Sequence, residues 1–290
     1  MKIIVVGASG LLGSALVPQL RSATHTVITL GRSSVSDYQC DVVNRELLSY
    51  AFEDLKPDLV INLVALTDVD LCEIDPRQAY LINVKSLENI VNWIEASEKK
   101  CHLIQISTDQ VYDGNGPHSE SQEMLGNYYA FSKYMAELMA LRVPCTVLRT
   151  NFIGKSKCPG RVSFTDWVYS SILNKERIFL FNDVFFSPLT MKTLTDMISL
   201  VAIVKPQGVF NLGSRMGLSK SDFALLFADK LNIPSNNMEV VSIDDVDFMK
   251  TYRPKDMRMD VTKFEQIMGI KLPTLENEID LLIGDYYEDA

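Results

Sequence analysis

Several things this chain has little of narrow what it can be. It has only 5 Cys and 3 His. The cysteines, at 40, 72, 101, 145 and 158, are odd in number and include no CxxC pair, which argues against a disulfide framework and the common zinc spacings. Free thiols in a reducing compartment are expected. His25, His102 and His118 are scattered without ligand-like spacing and read as surface or loop residues, so no metal is expected. Basic charge is also scarce. Against 37 Asp and Glu stand 28 Lys and Arg, a formal charge of −9, which suits nucleic-acid backbones poorly and removes nucleic acid from the expected partners. Long apolar runs are missing too. Residues 191–204 come nearest, but Lys192, Thr193, Thr195 and Asp196 break them, so no membrane span is expected. The apolar start after Met1-Lys2 lacks a small-residue cleavage site, and a cytoplasmic location is expected. With 47% hydrophobic and 22% charged residues the composition is that of a folded globular chain, not a disordered one.

The first 150 residues alternate β-rich runs (2–6, 26–30, 59–62, 103–106, 146–148) with amphipathic stretches (11–20, 45–55, 76–96, 129–141). Continuous Ile/Val/Leu strands between helices predict a parallel sheet covered on both faces, a doubly wound α/β lobe. After Asn151 prolines punctuate shorter elements. Helices are expected at 162–173, 190–204, 220–230, 261–268 and 275–286, with a strand at 209–212. The expected division is a dinucleotide-binding domain over 1–150, completed by parts of 190–215, and a smaller substrate lobe over 151–290.

Gly7-Ala8-Ser9-Gly10-Leu11-Leu12-Gly13 follows the first strand and opens the first helix. Glycines there permit a tight turn, close approach of a pyrophosphate and helix-to-strand packing, and the helix N-terminus supplies free N–H groups. The second strand ends in Leu30-Gly31-Arg32-Ser33-Ser34, with no acid before Asp37. An acid there would take a ribose 2′-OH, whereas Arg32 and Ser33 suit a 2′-phosphate. NADP is therefore expected in preference to NAD.

Tyr129 and Lys133 are four residues apart on a predicted helix and share one face. Chance alone supplies about 0.6 such YxxxK pairs in a chain of this composition. The added weight comes from Ser107-Thr108-Asp109, at the C-terminal edge of the predicted sheet, where ligands of open α/β folds bind. A phenol, with its ordinary pKa near 10, needs a neighbouring ammonium to work as an acid or base at neutral pH. A hydroxyl from Thr108 can stabilise the oxygen on which charge develops. The set suits hydride transfer at a carbonyl.

These residues bring a resemblance into view. GASGLLGSAL (7–16), CDVVN (40–44), PDLVINLVALTDVDLCEIDPRQAYLINV (57–84), ISTDQVYDG (106–114) and YAFSKYMAE (129–137) occur in that order. They are followed by LRTNFIG (148–154), FFSPLT (185–190), GVFNLG (208–213) and RPKDMRMD (253–260). In this order and spacing the chain resembles the extended short-chain dehydrogenase/reductases, and within them the dTDP-4-dehydrorhamnose reductases. The resemblance implies a Rossmann-type fold with a smaller C-terminal substrate lobe, and Thr108, Tyr129 and Lys133 as the catalytic set. By position it places Gly7, Ser9, Gly10, Leu11, Leu12 and Gly13 on the cofactor pyrophosphate and Asp41 and Val42 beside adenine. Ala65, Leu66 and Thr67 lie along the cofactor, with Asn83 in support. Asp109, Gln110, Asn151 and Phe152 fall near the sugar, where the family usually carries aromatics after the Thr-Asp pair and after the fifth strand.

The implied activity is reduction of a 4-keto sugar nucleotide with NADPH, or with NADH, for surface-polysaccharide precursors. The implied partner is a nucleotide sugar, and a homodimer is compatible with the family. Two other readings stay open: a sugar-nucleotide epimerase, and a regulatory subunit like the methionine adenosyltransferase β subunit. Dehydratases carry Glu where this chain has Gln110, which cannot exchange a proton. Arg253 suits a diphosphate, or an ion pair with Asp256 or Asp260. Phe179-Leu180-Phe181 and Phe185-Phe186 read as packing between the lobes and not as a stacking platform.

Overall fold

The structure is a computed structural model that describes residues 1–23 and 25–287; residues 288–290, the end of the expected second lobe, lie outside the described residues. The elements run β1 (Lys2–Val6), α1 (Leu11–Ser22), β2 (Thr26–Gly31), β3 (Tyr38–Gln39), α2 (Arg45–Leu55), β4 (Leu59–Asn62), α3 (Val69–Ile74) and α4 (Pro76–Ala79). A π-helical turn (Tyr80–Lys85) leads into α5 (Ser86–Ala96), β5 (His102–Ile106), α6 (Tyr128–Ala140), β6 (Cys145–Thr150) and β7 (Phe152–Ile153). Then come α7 (Phe164–Leu173), β8 (Ile178–Phe181), β9 (Phe185–Phe186), β10 (Leu189–Thr190), α8 (Met191–Val204) and β11 (Gly208–Leu212). The chain ends with β12 (Leu218–Ser219), α9 (Lys220–Lys230), β13 (Met238–Val241), α10 (Thr262–Met268) and α11 (Leu275–Tyr287).

Two units share these elements. One takes Met1–Thr108, Asn127–Arg149 and Thr195–Phe210; the other takes Asp109–Gly126, Thr150–Leu194 and the chain from Asn211.

The first unit is built on a sheet of order β11-β6-β5-β4-β1-β2-β3. The β-branched run of β1 pairs parallel with β2 (Ile3↔Val27) on one side and with β4 (Ile3↔Leu59) on the other. Beyond β4 the order continues through β5 (Leu59↔His102) and β6 (Leu103↔Cys145), again parallel. Chain order therefore reverses between β1 and β4, the switch point at which open α/β sheets bind ligands. On one face Ile4, Val6, Val60 and Leu103 pack against Leu48 and Phe52 of α2, Leu87 and Val91 of α5, and Ala136 of α6. Phe52 meets Trp93 edge-on at 5.0 Å. The α2 helix starts where it does because the Asn44 side chain accepts from Glu46 N and Leu47 N, and it ends at Lys56 in left-handed backbone.

Among its described residues the second unit has no large sheet. Its core is aromatic: Phe186, Phe223, Phe227 and Tyr286 pack with Leu275, Ile279 and Leu282 of α11. β8 pairs parallel with β13 (Ile178↔Met238). A reciprocal cap between Ser163 and Asp166 fixes the start of α7. His118, expected at the surface, is buried here; its ring stacks on Tyr112 and its Nε2 lies 2.9 Å from the Asp256 carbonyl. His102 of β5 is likewise buried, with Nε2 2.9 Å from Thr146 Oγ1. Both imidazoles have found hydrogen-bond partners in the interior, which offsets the cost of burying them. No described helix is long and apolar enough to cross a membrane.

Candidate active site

The turn after β1 shows why glycine is needed. Gly7 has φ +79, and a Cβ there would stand 3.0 Å from Val64 N. At Gly13 a Cβ would lie 2.2 Å from the Ala8 carbonyl oxygen, so only glycine lets α1 pack on its own entry turn. Gly10 caps α1 with no side-chain hydrogen bond, which leaves the first N–H groups of the helix for an anion. Leu11 and Leu12 open that helix, and Leu12 is buried beneath it. Ser9 is exposed at the turn and, with Gly13, Ser14, Arg21 and Ser36, lines a cleft of about 210 Å³.

At the end of β2, Arg32 is exposed and its carbonyl accepts from Gln39 Nε2, while Ser33 Oγ accepts from Val35 N at 3.4 Å. Neither lines the cleft. Asp37, the first acid after the strand, is already engaged. Its carboxylate accepts from Thr29 N and Thr29 Oγ1, both at 2.8 Å, and from Arg21. The Thr29 amide first, then the Thr29 hydroxyl and Arg21, hold it below the usual carboxylate range against the cost of burial. Further along the sheet edge, Val42 is buried, and its carbonyl and that of Val43 accept from Asn89 Nδ2. The Asp41 side chain accepts from Val43 N.

The loop after β4 carries Ala65, Leu66 and Thr67. Asn83, 1% exposed on the π-helical turn, accepts from Leu66 N at 2.6 Å and donates to Leu66 O and to Ser132 Oγ. One buried amide thus ties this loop to the helix that carries Tyr129 and Lys133. A π turn inserts one residue and rotates the side chains that follow, which is how such turns serve sites.

Thr108, Tyr129 and Lys133 all belong to the first unit and are nearly inaccessible, at 6%, 6% and 3%. Asn127 caps α6 through Ala130 N, so the helix begins just before the phenol. Tyr129 packs among Leu66, Val69, Cys72 and Ala79, whereas its neighbour Tyr128 is 40% exposed. Lys133 Nζ donates to the Ile106 carbonyl at 2.8 Å, two residues before Thr108. Burial pushes the Lys133 ammonium down to about 8, and the Glu137 carboxylate opposes that fall. A buried phenol, an ammonium kept near its titration range and a threonine at the strand end are the kinds of group from which an acid–base site for a carbonyl can be built.

In the second unit a cavity of about 510 Å³ is lined by Gln110, Asn151, Lys220 and Arg253 among aromatic side chains. Asn151 Nδ2 donates to Asp109 Oδ2 at 2.6 Å, so Asp109, 1% exposed, backs Asn151 and does not itself line the space. Phe152 lies outside the lining, paired through β7 with Leu189. Asp256 is taken by Arg258 at 2.6 Å, and Arg253 Nη1 donates to the Thr251 carbonyl. Phe186 is fully buried in the core of the second unit, whereas Phe179 and Phe181 of the same aromatic run are half-buried and line the cavity. Strand alternation explains the difference, because Ile178 and Leu180 of β8 fill the core positions.

Lys220 is the residue that sequence reasoning missed. Its ammonium lies 3.4 Å from the Phe186 ring centroid and 4.3 Å from that of Phe164. Burial pushes its pKa down and the Asp109 charge opposes. A lysine opening a helix after Ser219 reads from sequence as solvated, and nothing local announces the two rings above it.

Comparison with known proteins places the chain in one family. A probable low-salt glycan biosynthesis reductase of Haloferax volcanii is 27% identical over 97% of both chains. A dTDP-4-dehydrorhamnose reductase of Escherichia coli is 26% identical over 99% of this chain and 98% of its own. Among solved structures, the dTDP-4-dehydrorhamnose reductase of Bacillus anthracis in complex with NADP superposes with a TM-score of 0.86 at 22% identity, covering 99% of each chain, a likeness of fold. The family model described as RmlD substrate binding domain matches residues 1–288, nearly the whole chain, and the chain belongs to that family.

Proposed function

We propose that this chain reduces the keto group of a 4-keto sugar nucleotide with a nicotinamide cofactor, NADPH in preference to NADH, in the making of surface-polysaccharide precursors. The observation that carries the reading is the buried Tyr129 and Lys133 on one face of α6, with Lys133 anchored on the strand end that bears Thr108.

The glycine-only turn at Gly7 and Gly13 and the uncapped start of α1 fit a pyrophosphate, and Ala65 to Thr67, fixed by Asn83, fit the rest of the dinucleotide. When bound, the cofactor supplies a hydride. Thr108 donates a hydrogen bond to the substrate carbonyl oxygen and stabilises the charge that builds there. Tyr129 then gives that oxygen its proton, and the Lys133 ammonium stabilises the phenolate left behind. In the second unit, Lys220 and Arg253 supply positive charge for a diphosphate, Gln110 and Asn151 supply amides for sugar hydroxyls, and Phe179 and Phe181 supply faces for a base. Gln110 has no titratable proton, which supports reduction over dehydration.

The deciding experiment is mass-resolved turnover of a panel of nucleotide 4-keto sugars with NADPH and with NADH. Reduced sugar with matching cofactor oxidation is expected. No reduction across the panel, or formation of a 4-keto product from dTDP-glucose with the cofactor retained, overturns the reading.

A further inference from the structure

The most heavily buried charges of the first unit lie beside the acid–base site, and the steps above make no use of them. Arg149 of β6 and Glu137 of α6 are each 1% exposed. Arg149 Nε lies 3.0 and 3.1 Å from the two oxygens of Glu137, and Nη2 lies 2.6 Å from Oε2. The same carboxylate accepts from Ser107 Oγ. A buried ion pair is weak evidence for stability, since apolar replacements of similar volume often serve as well. Its location argues for another role. Ser107 directly precedes Thr108. Glu137 stands four residues after Lys133, on the same face of α6. Lys133 in turn is bonded to Ile106 O. One carboxylate therefore ties the strand end that carries Thr108 to the helix that carries Tyr129 and Lys133.

We infer that Glu137, balanced by Arg149, is a positioning residue for carbonyl reduction: it sets a negative charge one helical turn from Lys133, and its bond to Ser107 holds Thr108 against the catalytic helix. The inference rests on the reductase reading of Tyr129 and Lys133. Burial alone drives Lys133 toward its neutral form, and Glu137 is the charge that resists. The other elements packed on α6 bring different charges. From α3 come Asp70 and Glu73, the latter accepting from Tyr128 N, and the Cys72 thiol, pushed by burial up to about 11 and so neutral. Exposed Arg77 stands on α4, and Lys85 of the π-helical turn pairs with Glu88 of α5. Glu95 of α5 pairs with Arg142, and β5 brings no charge to this end. None of these changes in the variants below.

The test follows the sign of the charge. Glu137→Gln leaves Arg149 uncompensated, so the first proton lost from the Tyr129–Lys133 pair leaves at lower pH, whichever group gives it up. The alkaline limb of the kcat profile is expected to move down by about half a pH unit or more. The double variant Glu137→Gln/Arg149→Met removes both charges, and its limb is expected to come back only part of the way, because the carboxylate that opposes burial at Lys133 is still missing. An unmoved limb in the single variant, or a double variant whose limb returns fully to the wild-type position, overturns the inference. Should Glu137→Gln not fold, Glu137→Asp carries the test. It keeps the charge and draws the carboxylate back from Ser107, so kcat is expected to fall about tenfold with KM and the limb unchanged; a wild-type kcat overturns the inference. The same shift is read without turnover from the near-ultraviolet phenolate absorbance of cofactor-free protein, each variant measured against its Tyr129→Phe partner. A wild type that reduces nothing on the panel defeats the reductase reading, and this absorbance titration still decides the role of Glu137.

Discussion

Tyr128 and Tyr129 are adjacent in sequence and opposite in environment, one 40% exposed and the other 6%. Only Tyr129 stands one turn before Lys133. Tyr129→Phe is expected to lower kcat by roughly 10²- to 10⁴-fold, the scale of a positioned acid–base group, while cofactor affinity stays near wild type. Tyr128→Phe is expected to change kcat less than about twofold, because an exposed hydroxyl lost to water costs little. Steady-state kinetics with a cofactor titration distinguish the two, and a Tyr129→Phe enzyme with wild-type kcat refutes the assignment. The cofactor preference also rests on one residue. Asp37, engaged by Thr29 and Arg21, leaves the end of β2 without an acid for a ribose hydroxyl, and exposed Arg32 stands there. A charge-assisted pair with a 2′-phosphate contributes about 1.5–3 kcal/mol, and screening in an exposed loop keeps it near the low end. Arg32→Ala is expected to weaken NADPH about tenfold and leave NADH unchanged, as read by paired calorimetric titrations. Equal losses for both cofactors return Arg32 to a solvated loop cation.

At the scale of elements, the long periodic segments were legible and the short ones were not. The bounds 2–6, 45–55 and 59–62 read from the apolar pattern coincide with β1, α2 and β4. Residues 76–96, however, read as one helix and are α4, a π-helical turn and α5. No Gly or Pro marks the change, because the turn is stabilised by Asn83 reaching the loop after β4 and α6, contacts far away in sequence. The two-residue strands β3, β7, β9, β10 and β12 are too short to carry a period, and tertiary pairing alone defines them. The site divides in the same way. Gly7 to Gly13, Tyr129 and Lys133 declare themselves by local spacing, whereas the Glu137–Arg149 pair and Lys220 are made by strands and rings that sequence does not bring together. Gly13 gives the element-scale prediction. Gly13→Ala sets a methyl 2.2 Å from the Ala8 carbonyl, so α1 must move off β1 and the turn must open. Cofactor affinity is expected to fall more than tenfold, with a loss of stability in the range of about 1–3 kcal/mol for an overpacked site. A variant that binds cofactor as the wild type does shows that the turn does not hold the pyrophosphate.

For the molecule as a whole, the stability of the fold in mild acid depends on one imidazole placed inside the sheet. Thr146 Oγ1 donates to the Pro206 carbonyl, so the hydroxyl can only accept from His102, whose Nε2 must carry the hydrogen. The ring is neutral, and burial first, with Lys205 adding to it, pushes its pKa down to about 4 from 6.5. The unfolded chain takes up a proton near 6.5 and the folded chain resists until about 4, so between these values the unfolded state binds more protons. Stability therefore falls as the pH falls through that window, by about 2 kcal/mol between pH 7 and pH 5. The carboxylates held below their ordinary range do not produce this loss. Asp37, Asp58, Asp183 and Asp256 are all held below 3.8, so the stability they contribute is lost only at still lower pH. His102→Gln keeps an N–H donor for Thr146 and removes the titration. Denaturant midpoints at pH 7 and pH 5 are expected to differ clearly in the wild type and to draw together in His102→Gln, with little change at pH 7. An equal acid loss in both proteins places the acid-sensitive group elsewhere and leaves His102 a core residue with no titration of its own in this range.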